Sequence, residues 1–410
     1  MVTISVERAV PGPPGDAYYA LTHAAVLHDW LCDFASVSPR PGGPVYLRWH
    51  DSTYVCGEFL SLDEDRSVAL SWRGPADSAP GRVTFRFSEV NAKAEAKAGT
   101  TVAIEHEMPD EDSAGERAAA AEQRWTEALG NLAYLIETGL DRRTQERPLL
   151  GIYVSDFNPV IATTLGVPVI DGMRLDGVSE GLGADAAGLR KDDVLVEMAG
   201  FPIRSEFGSV VAALQGKRGG DRVEVVFYRG PERRTVTMEL SRRPVPEVPL
   251  GASTLADAVK ARRAEGLEAL EACLRDADDE AAGRRPTEGG WNAKEVLAHL
   301  VHVDRATLAN VVDLVGGHER VADDDGGNLD AAVRATVSAF PTVAELMDEL
   351  RRLAVEAEAL AAALPPEFVA RTCTYVPVAQ QLLDTGYHVQ SHVGQIEGAV
   401  RGQPAGPPTS

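Results

Sequence analysis

Two histidines near the C-terminus have a spacing that suits metal binding. His388 and His392 lie four residues apart in a stretch whose apolar periodicity predicts a helix. Residues at this spacing share one helix face, with Cβ atoms about 5–6 Å apart. Their imidazoles can therefore share a divalent ion at about 2.0–2.1 Å. The spacing alone does not decide the matter, because such pairs also occur by chance.

The elements around these histidines predict an all-α domain in residues 253–401. Apolar positions recur at helical spacing in five stretches, which are 255–277, 293–315, 329–339, 343–364 and 378–402. Long helices with short connections are typical of a four-helix bundle. Asn292 is the expected N-cap of the second helix, with Glu295 as its capping-box partner.

This bundle resembles the DinB family over its whole length. Residues 291–300, WNAKEVLAHL, resemble the family's second helix, where a Trp precedes a helix that carries a His before Leu. Residues 388–396, HVQSHVGQI, match its final helix. The resemblance implies a three-histidine site for zinc, nickel or a similar divalent ion, with His299, His388 and His392 as ligands. His302 is an alternative ligand, although a supporting or surface role is the expected one.

Three neutral ligands leave at least one coordination position open, which suits Lewis-acid chemistry on a carbonyl, a water or a thiol. DinB-like enzymes include thiol-dependent transferases and isomerases, and the family also has members without demonstrated activity. No general base accompanies the histidines, so the catalytic residues are unknown. Cys373 is the nearest thiol, fifteen residues before His388, and is expected in the preceding loop.

The middle segment, residues 148–241, resembles a mainly-β PDZ domain of the HtrA type. The resemblance rests on LLGIYV at 149–154, GMRLDGV at 172–178, ADAAGL at 184–189 and DDVLVE at 192–197. Asp192 departs from the family, which usually has Gly in that turn. The resemblance implies that a C-terminal peptide adds as a strand beside the loop of Leu150, Gly151 and Ile152. The alternative is a spacer whose groove is empty or filled by the chain itself.

Glycine has a physical reason to stand in that loop. Gly151 permits backbone dihedrals and a close approach that other residues resist, so that N–H groups can point at a carboxylate. A helix over 207–214 is expected to form the other wall of the groove.

The first segment, residues 1–141, predicts an α+β fold of strand, helix, several antiparallel strands and a long closing helix. The expected helices are 16–31 and 114–139. It resembles the SRPBCC, or START-like, superfamily, in the branch named for the heat-shock ATPase activator. The resemblance rests on ALT at 20–22, DWL at 29–31, VTFRF at 83–87 and the WTEALGNLAYLIETG stretch at 125–139.

This second resemblance implies a helix-grip fold with an apolar ligand cavity between sheet and helix. Its candidate lining residues are aromatic: Trp49, Trp72, Phe85, Phe87 and Trp125. The alternative is that they only fill the core, as buried aromatic side chains usually do.

Composition excludes some classes of partner. The 410 residues carry 40 Lys+Arg against 62 Asp+Glu, a net charge of −22, which opposes binding to nucleic acid or anionic membranes. The four cysteines form no CxxC pair, which favours reduced thiols. No stretch approaches the roughly 20 apolar residues of a membrane helix, and no signal peptide begins the sequence, so a cytoplasmic location is expected.

Two hypotheses of function follow. The first is a metal-dependent enzyme, a thiol transferase or hydrolase, whose other domains bind an apolar small molecule and a protein C-terminal peptide. The second is a non-catalytic ligand- and peptide-binding protein that acts as an accessory factor or sensor. The sequence contains no serine-protease triad, phosphate-binding glycine loop or dinucleotide motif.

Overall fold

The computed structural model describes residues 1–50, 52–75, 77–90, 99–109, 114–285, 290–318 and 329–401. The chain divides into two compact units. The first unit combines Met1–Asp141 with Glu247–Ser410, and the second is Arg142–Pro246. The residues of the predicted first and third domains therefore share one unit, with the middle segment inserted between them in the sequence.

The N-terminal segment of the first unit is a curved sheet with helices. Its elements are β1 (Val2–Pro11), α1 (Pro14–Thr22), α2 (Ala24–Trp30), β2 (Phe34–Val37), β3 (Pro44–Arg48), β4 (Tyr54–Asp63), β5 (Ser67–Trp72), β6 (Gly81–Val90), β7 (Gly99–Met108) and α3 (Ala114–Thr138). All seven strands pair antiparallel in the order β1-β7-β6-β5-β4-β3-β2. The predicted α+β arrangement is confirmed.

Helix α3 is held on the sheet by its apolar face. Leu129, Leu132 and Leu135 recur every three residues and are fully buried, in one core with Trp30 and Phe85. One prediction about the segment was wrong, and one element was missed. The helix expected over 16–31 is broken at His23, whose backbone is extended (φ −121°, ψ 122°). Strand β2 was not predicted.

The second unit is built on a six-stranded antiparallel sheet. Its elements are α4 (Arg142–Gln145), β8 (Ile152–Ser155), α5 (Pro159–Leu165), β9 (Met173–Val178), α6 (Gly183–Ala186), β10 (Val194–Met198), β11 (Phe201–Pro202), α7 (Gly208–Ala213), β12 (Arg222–Arg229) and β13 (Glu232–Glu239). The strand order is β13-β12-β10-β9-β8, and β11 pairs with β10. The predicted antiparallel sheet is present, while the PDZ assignment stays a prediction.

The C-terminal segment of the first unit is helical. Its elements are α8 (Ala252–Leu274), α9 (Asp279–Gly283), α10 (Ala293–Val315), α11 (Leu329–Ala339), α12 (Val343–Ala362), α13 (Pro366–Ala370) and α14 (Thr372–Val400). The four longest pack in a closed ring, α8 on α14, α14 on α10, α10 on α12 and α12 on α8. Their inward faces form a single apolar core, so the predicted bundle is confirmed.

Helix α10 begins with the predicted capping box. Asn292 Oδ1 accepts a hydrogen bond from the backbone N–H of Glu295 at 2.9 Å, and Glu295 Oε2 accepts one from the backbone N–H of Asn292 at 2.9 Å. Helix α14 begins six residues earlier than predicted, because Pro377 lies inside it rather than before it.

Among the helices that the structure describes, none combines the length and apolar character required to cross a bilayer.

Candidate metal centre

Two helices of the bundle bring three imidazoles together. His299 lies in the second turn of α10, and His388 and His392 lie in the second half of α14. One ligand atom from each histidine falls within 4.8 Å of the other two. Among the described His, Cys and acidic residues, this is the group of three that converges in this way, and His302 is not part of it.

The separation between two of the nitrogens fits a shared ion. His299 Nε2 lies 3.1 Å from His388 Nε2. Two nitrogens bound to one ion at about 2.0–2.1 Å, at angles between a right angle and the tetrahedral angle, are about 2.9–3.4 Å apart. The same pair of atoms can also form one hydrogen bond, but that leaves the third imidazole without a partner in the cluster.

His392 supplies the observation that decides the fit. Its Nδ1 lies 2.6 Å from Gln395 Oε1. Because an amide oxygen accepts, Nδ1 carries the proton and Nε2 is left with a lone pair. That Nε2 is buried and has no hydrogen-bond partner among the described residues. A buried lone pair without a partner is costly unless a cation or donor meets it. The three residues therefore fit a divalent metal ion.

Burial keeps the three imidazoles in their neutral form, which is the form that binds a metal ion. Burial, reinforced by His392 and His388, lowers the pKa of His299 to about 4. Burial and then His392 lower the pKa of His388 to about 4. Burial also lowers the pKa of His392, although Gln395 partly opposes this. All three are neutral at pH 7, and a metal must compete with protons only in acid.

Trp291 forms part of the surroundings of the cluster. Its ring lies 5.2 Å from that of His299, at an interplanar angle of 45°. This contact explains why a Trp stands just before the helix that carries His299, a pattern which the sequence showed without indicating its reason.

Cys373 does not belong to the cluster, and its expected place was wrong. It lies in the first turn of α14 rather than in a loop, and it packs in the core of the N-terminal sheet. Burial raises the pKa of its thiol to about 12. A buried, protonated thiol is a poor metal ligand.

The aromatic residues proposed to line a cavity are close together. Phe85, Phe87 and Trp125 are buried in the core, and Trp49 and Trp72 pack against it. The Trp125 ring lies 5.5 Å from that of Phe85 and 5.2 Å from that of Trp72. These contacts account for the side chains by packing, and their role in ligand binding stays a prediction.

His106 was missed as a member of this aromatic group. It is 6% exposed on β7, and its Nδ1 accepts a hydrogen bond from Trp125 Nε1 at 3.2 Å. Burial lowers the pKa of His106 to about 4. The alternation of strand β7 placed His106 on the inner face with Ile104, which is a signal that could have found it.

The loop predicted to bind peptide precedes an edge strand of the second unit. Gly151 has a φ of +71°, and β8 begins at Ile152 and pairs only with β9 in the described sheet. The carbonyls of Leu150 and Gly151 accept hydrogen bonds from Ala184 and Ser179. No described backbone acceptor meets the N–H groups of Leu150 and Gly151.

Comparisons with known protein families match the N-terminal and C-terminal parts of the chain. The family model of "Activator of Hsp90 ATPase homolog 1-like protein" matches residues 11–137. The model of the DinB superfamily matches residues 226–396. The chain therefore has an AHSA1-like domain and a DinB-like domain. No family match supports a PDZ domain in the middle segment, and no curated protein matches the chain.

Several solved structures are similar to part of the chain. One is the Aha1 dimer from Colwellia psychrerythraea, at 19% identity, with 35% of this chain and 98% of that one covered and a TM-score of 0.29. A second is an Hsp90 activator from Plasmodium falciparum, at 19% identity, with 33% and 97% covered and a TM-score of 0.27. A third is CalU16 from Micromonospora echinospora, at 19% identity, with 33% and 73% covered and a TM-score of 0.27.

Proposed function

We propose that the DinB domain binds one divalent metal ion, zinc or nickel, through His299, His388 and His392, and that the protein is a metal-dependent thiol transferase or hydrolase. The observation that supports this proposal is the buried lone pair of His392 Nε2 beside two other neutral imidazoles. When bound, the ion supplies a Lewis acid that holds a thiol or water as its anion or polarises a carbonyl.

The protein's own groups have separate tasks at this site. Gln395 fixes the tautomer of His392 because its Oε1 accepts a hydrogen bond from the Nδ1–H group. Trp291 packs beside His299 and excludes water from one side of its ring. The lowered pKa values keep all three ligand nitrogens unprotonated at neutral pH.

Metal analysis is the first test. Protein purified without chelator should contain about one divalent ion per chain, and His388→Ala should remove it while the bundle stays folded, as judged by circular dichroism. The fold should survive because the apolar core of four helices does not depend on the imidazoles. His302→Ala is the matched control and should keep the ion. Metal-free wild-type protein would contradict the proposal.

Catalysis needs its own test, because a bound ion also fits a sensor. We expect the metal-loaded protein to accelerate transfer of a low-molecular-weight thiol to one of a panel of electrophiles, or hydrolysis of an ester or amide. The rate should be lost in His388→Ala. A metal-loaded protein without activity on the panel favours the alternative, a non-catalytic accessory or sensor protein.

The other parts of the chain supply the proposed partners. We infer that the AHSA1-like domain takes an apolar small molecule and that the second unit is a PDZ domain that binds a protein C-terminal peptide. The φ of +69° at Asp192 supports the latter, since this turn position is one where PDZ domains usually have Gly. The N–H groups of Leu150 and Gly151, which meet no backbone acceptor among the described residues, also support it.

A peptide titration tests the carboxylate mechanism. A peptide with an apolar C-terminal residue should bind the full chain, and amidation of its terminus should weaken binding at least tenfold. Equal binding of the acid and amide forms would contradict a role for the Leu150–Ile152 loop.

A further inference from the structure

A buried ion pair in the bundle involves the helices that carry the histidine cluster. Arg263 Nη1 donates to Asp304 Oδ2 at 2.7 Å, and Arg263 Nη2 donates to Thr385 Oγ1 at 2.8 Å. The side chains of Arg263 and Asp304 are each 4% exposed. One guanidinium on α8 therefore contacts both α10 and α14, which are the two helices that carry the proposed ligands.

The position along the helices is specific. Asp304 follows His299 by five residues on α10, and Thr385 precedes His388 by three on α14. On the far side, Asn310 Nδ2 donates to Gln381 Oε1 at 3.1 Å between the same two helices. The Arg263 contacts thus lie between the histidines and this more distant amide bridge.

Helix α8 is also close to α14 at this level. A Cβ on Gly386 would collide with the side chain of Arg262, and a Cβ on Gly266 would lie 3.0 Å from Val389 Cγ1. Two glycines therefore let the helices approach closely at Gly386, which lies between Thr385 and His388, and at Val389, which follows His388. A small axial shift of α8 would be transmitted to the turn that carries His388.

The pair is poorly explained by stability alone. Burial raises the pKa of Asp304, and this effect outweighs the opposite influence of Arg263. Replacing a buried ion pair by apolar residues of similar volume is often neutral or stabilising. Directional hydrogen bonds instead fix geometry, whereas apolar side chains tolerate sliding.

We propose that Arg263 is a positioning residue which, by bonding Asp304 on α10 and Thr385 on α14, sets the axial register that brings His299 to His388 and His392. The proposal rests on the metal site proposed above. Metal ligation requires distances within about 0.2 Å of their ideal values. Axial shifts much smaller than the rise of one residue therefore weaken metal binding. Arg263 needs no contact with the ion to affect its affinity.

The test compares two apolar replacements. Arg263→Met with Asp304→Leu removes the buried charges and their hydrogen bonds but keeps the core filled. Asn310→Leu with Gln381→Leu is the matched control, since it removes a bridge between the same two helices farther from the histidines. Each protein is stripped with chelator, checked by circular dichroism and thermal unfolding, and titrated with Co²⁺ alone.

We expect the Arg263/Asp304 variant to fold with a midpoint at or above that of the wild type. Its Co²⁺ dissociation constant should rise about 10–100-fold, and the visible d–d bands should shift. The control should bind within about threefold of wild type with unchanged bands. A purely structural role would instead lower the midpoint and leave the bands of the bound Co²⁺ unchanged.

Three outcomes overturn the inference. If the Arg263/Asp304 variant binds Co²⁺ with the affinity and the visible bands of the wild type, the positioning role of Arg263 is overturned, while the proposed metal site stands. Wild-type protein that binds no Co²⁺ overturns the proposed metal site as well. If the double variant fails to fold, Thr385→Val decides, because it keeps the Arg263–Asp304 pair and removes the bond from Arg263 to α14, together with the hydrogen bond from Thr385 Oγ1 to the Leu382 carbonyl in the same helix. It should weaken Co²⁺ binding with little change in midpoint, and unchanged binding overturns the inference.

Discussion

His106 shows how a single buried imidazole makes stability depend on pH. Its Nδ1 accepts the Trp125 indole N–H, so that nitrogen must be unprotonated in the folded chain. Burial lowers its pKa from 6.5 to about 4, and the nearby Asp77 only partly opposes this. The unfolded chain therefore binds more protons than the folded chain between these pH values. The contribution of neutral His106 to the free energy of unfolding is present in full above about pH 6.5 and is lost as the pH falls toward 4.

His106→Gln should reduce this acid loss. Glutamine offers an oxygen to the Trp125 N–H but does not titrate. We expect the free energy of unfolding of the wild type to fall by up to about 3 kcal/mol more than that of the variant between pH 7 and pH 4. Urea unfolding at several pH values measures this. His50→Gln, at an exposed position in the same domain, is the control and should follow the wild type. Parallel curves for wild type and His106→Gln would refute the argument.

Single residues were predictable from the sequence where a local pattern marked them. The pair His388 and His392 was visible from helical spacing, and the DinB motif supplied His299. The bonds of Arg263 to Asp304 and Thr385 had no such signal, because they join residues 41 and 122 positions apart. Only the packing of three helices creates that contact.

Helix ends follow local chemistry more closely than helix interiors do. The capping box at Asn292 and the helix α10 that it begins were both predicted from side chains three residues apart. The start of α14 was not, because proline usually opens a helix. Pro377 instead lies inside α14, where tertiary contacts hold the preceding turn. One of these contacts is Cys373 in the N-terminal core. Packing thus overrides the local preference.

The cap of α10 should make a measurable contribution to stability. Asn292→Ala removes the acceptor for the Glu295 N–H, and we expect a loss of about 1 kcal/mol in the metal-free protein. Asn292→Ser keeps an acceptor and should lose only a few tenths. Urea unfolding followed by circular dichroism distinguishes the two. Equal losses would mean that the cap bond is not what stabilises the start of the helix that carries His299.

The first unit joins two parts of the chain that the sequence suggests are separate domains. Tyr134 and Leu140, from the end of the N-terminal segment, pack against the core of the bundle. Arg371, just before α14, pairs with Asp16 at 3.2 Å and lies over the Tyr19 ring at 4.0 Å. Apolar periodicity and the family resemblances predicted the bounds of these two parts. They carried no information about contacts between residues separated by an inserted unit.

Gly139 provides a test of this junction at the scale of the whole unit. It ends α3 with a φ of +73°, and a Cβ there would collide with Val376 Cβ and lie 2.7 Å from Thr372 O on α14. Gly42 has a similar φ of +74°, but a Cβ there would meet nothing within 4 Å.

Both Gly→Ala substitutions incur the strain of a left-handed backbone, and only Gly139→Ala also forces α3 and α14 apart. We therefore expect Gly42→Ala to cost about 1 kcal/mol and Gly139→Ala about 2–5 kcal/mol of unfolding free energy.

Urea unfolding measures both losses. Tryptophan fluorescence, measured in a Trp291→Phe background because Trp291 lies in the bundle, follows the N-terminal core through Trp30 and Trp125, and circular dichroism follows the bundle, which dominates the helical signal. If the two parts fold as one unit, Gly139→Ala should shift both signals to lower urea or separate them into two transitions. Equal losses for the two variants, with the bundle signal unchanged, would show that the N-terminal segment and the bundle are energetically independent.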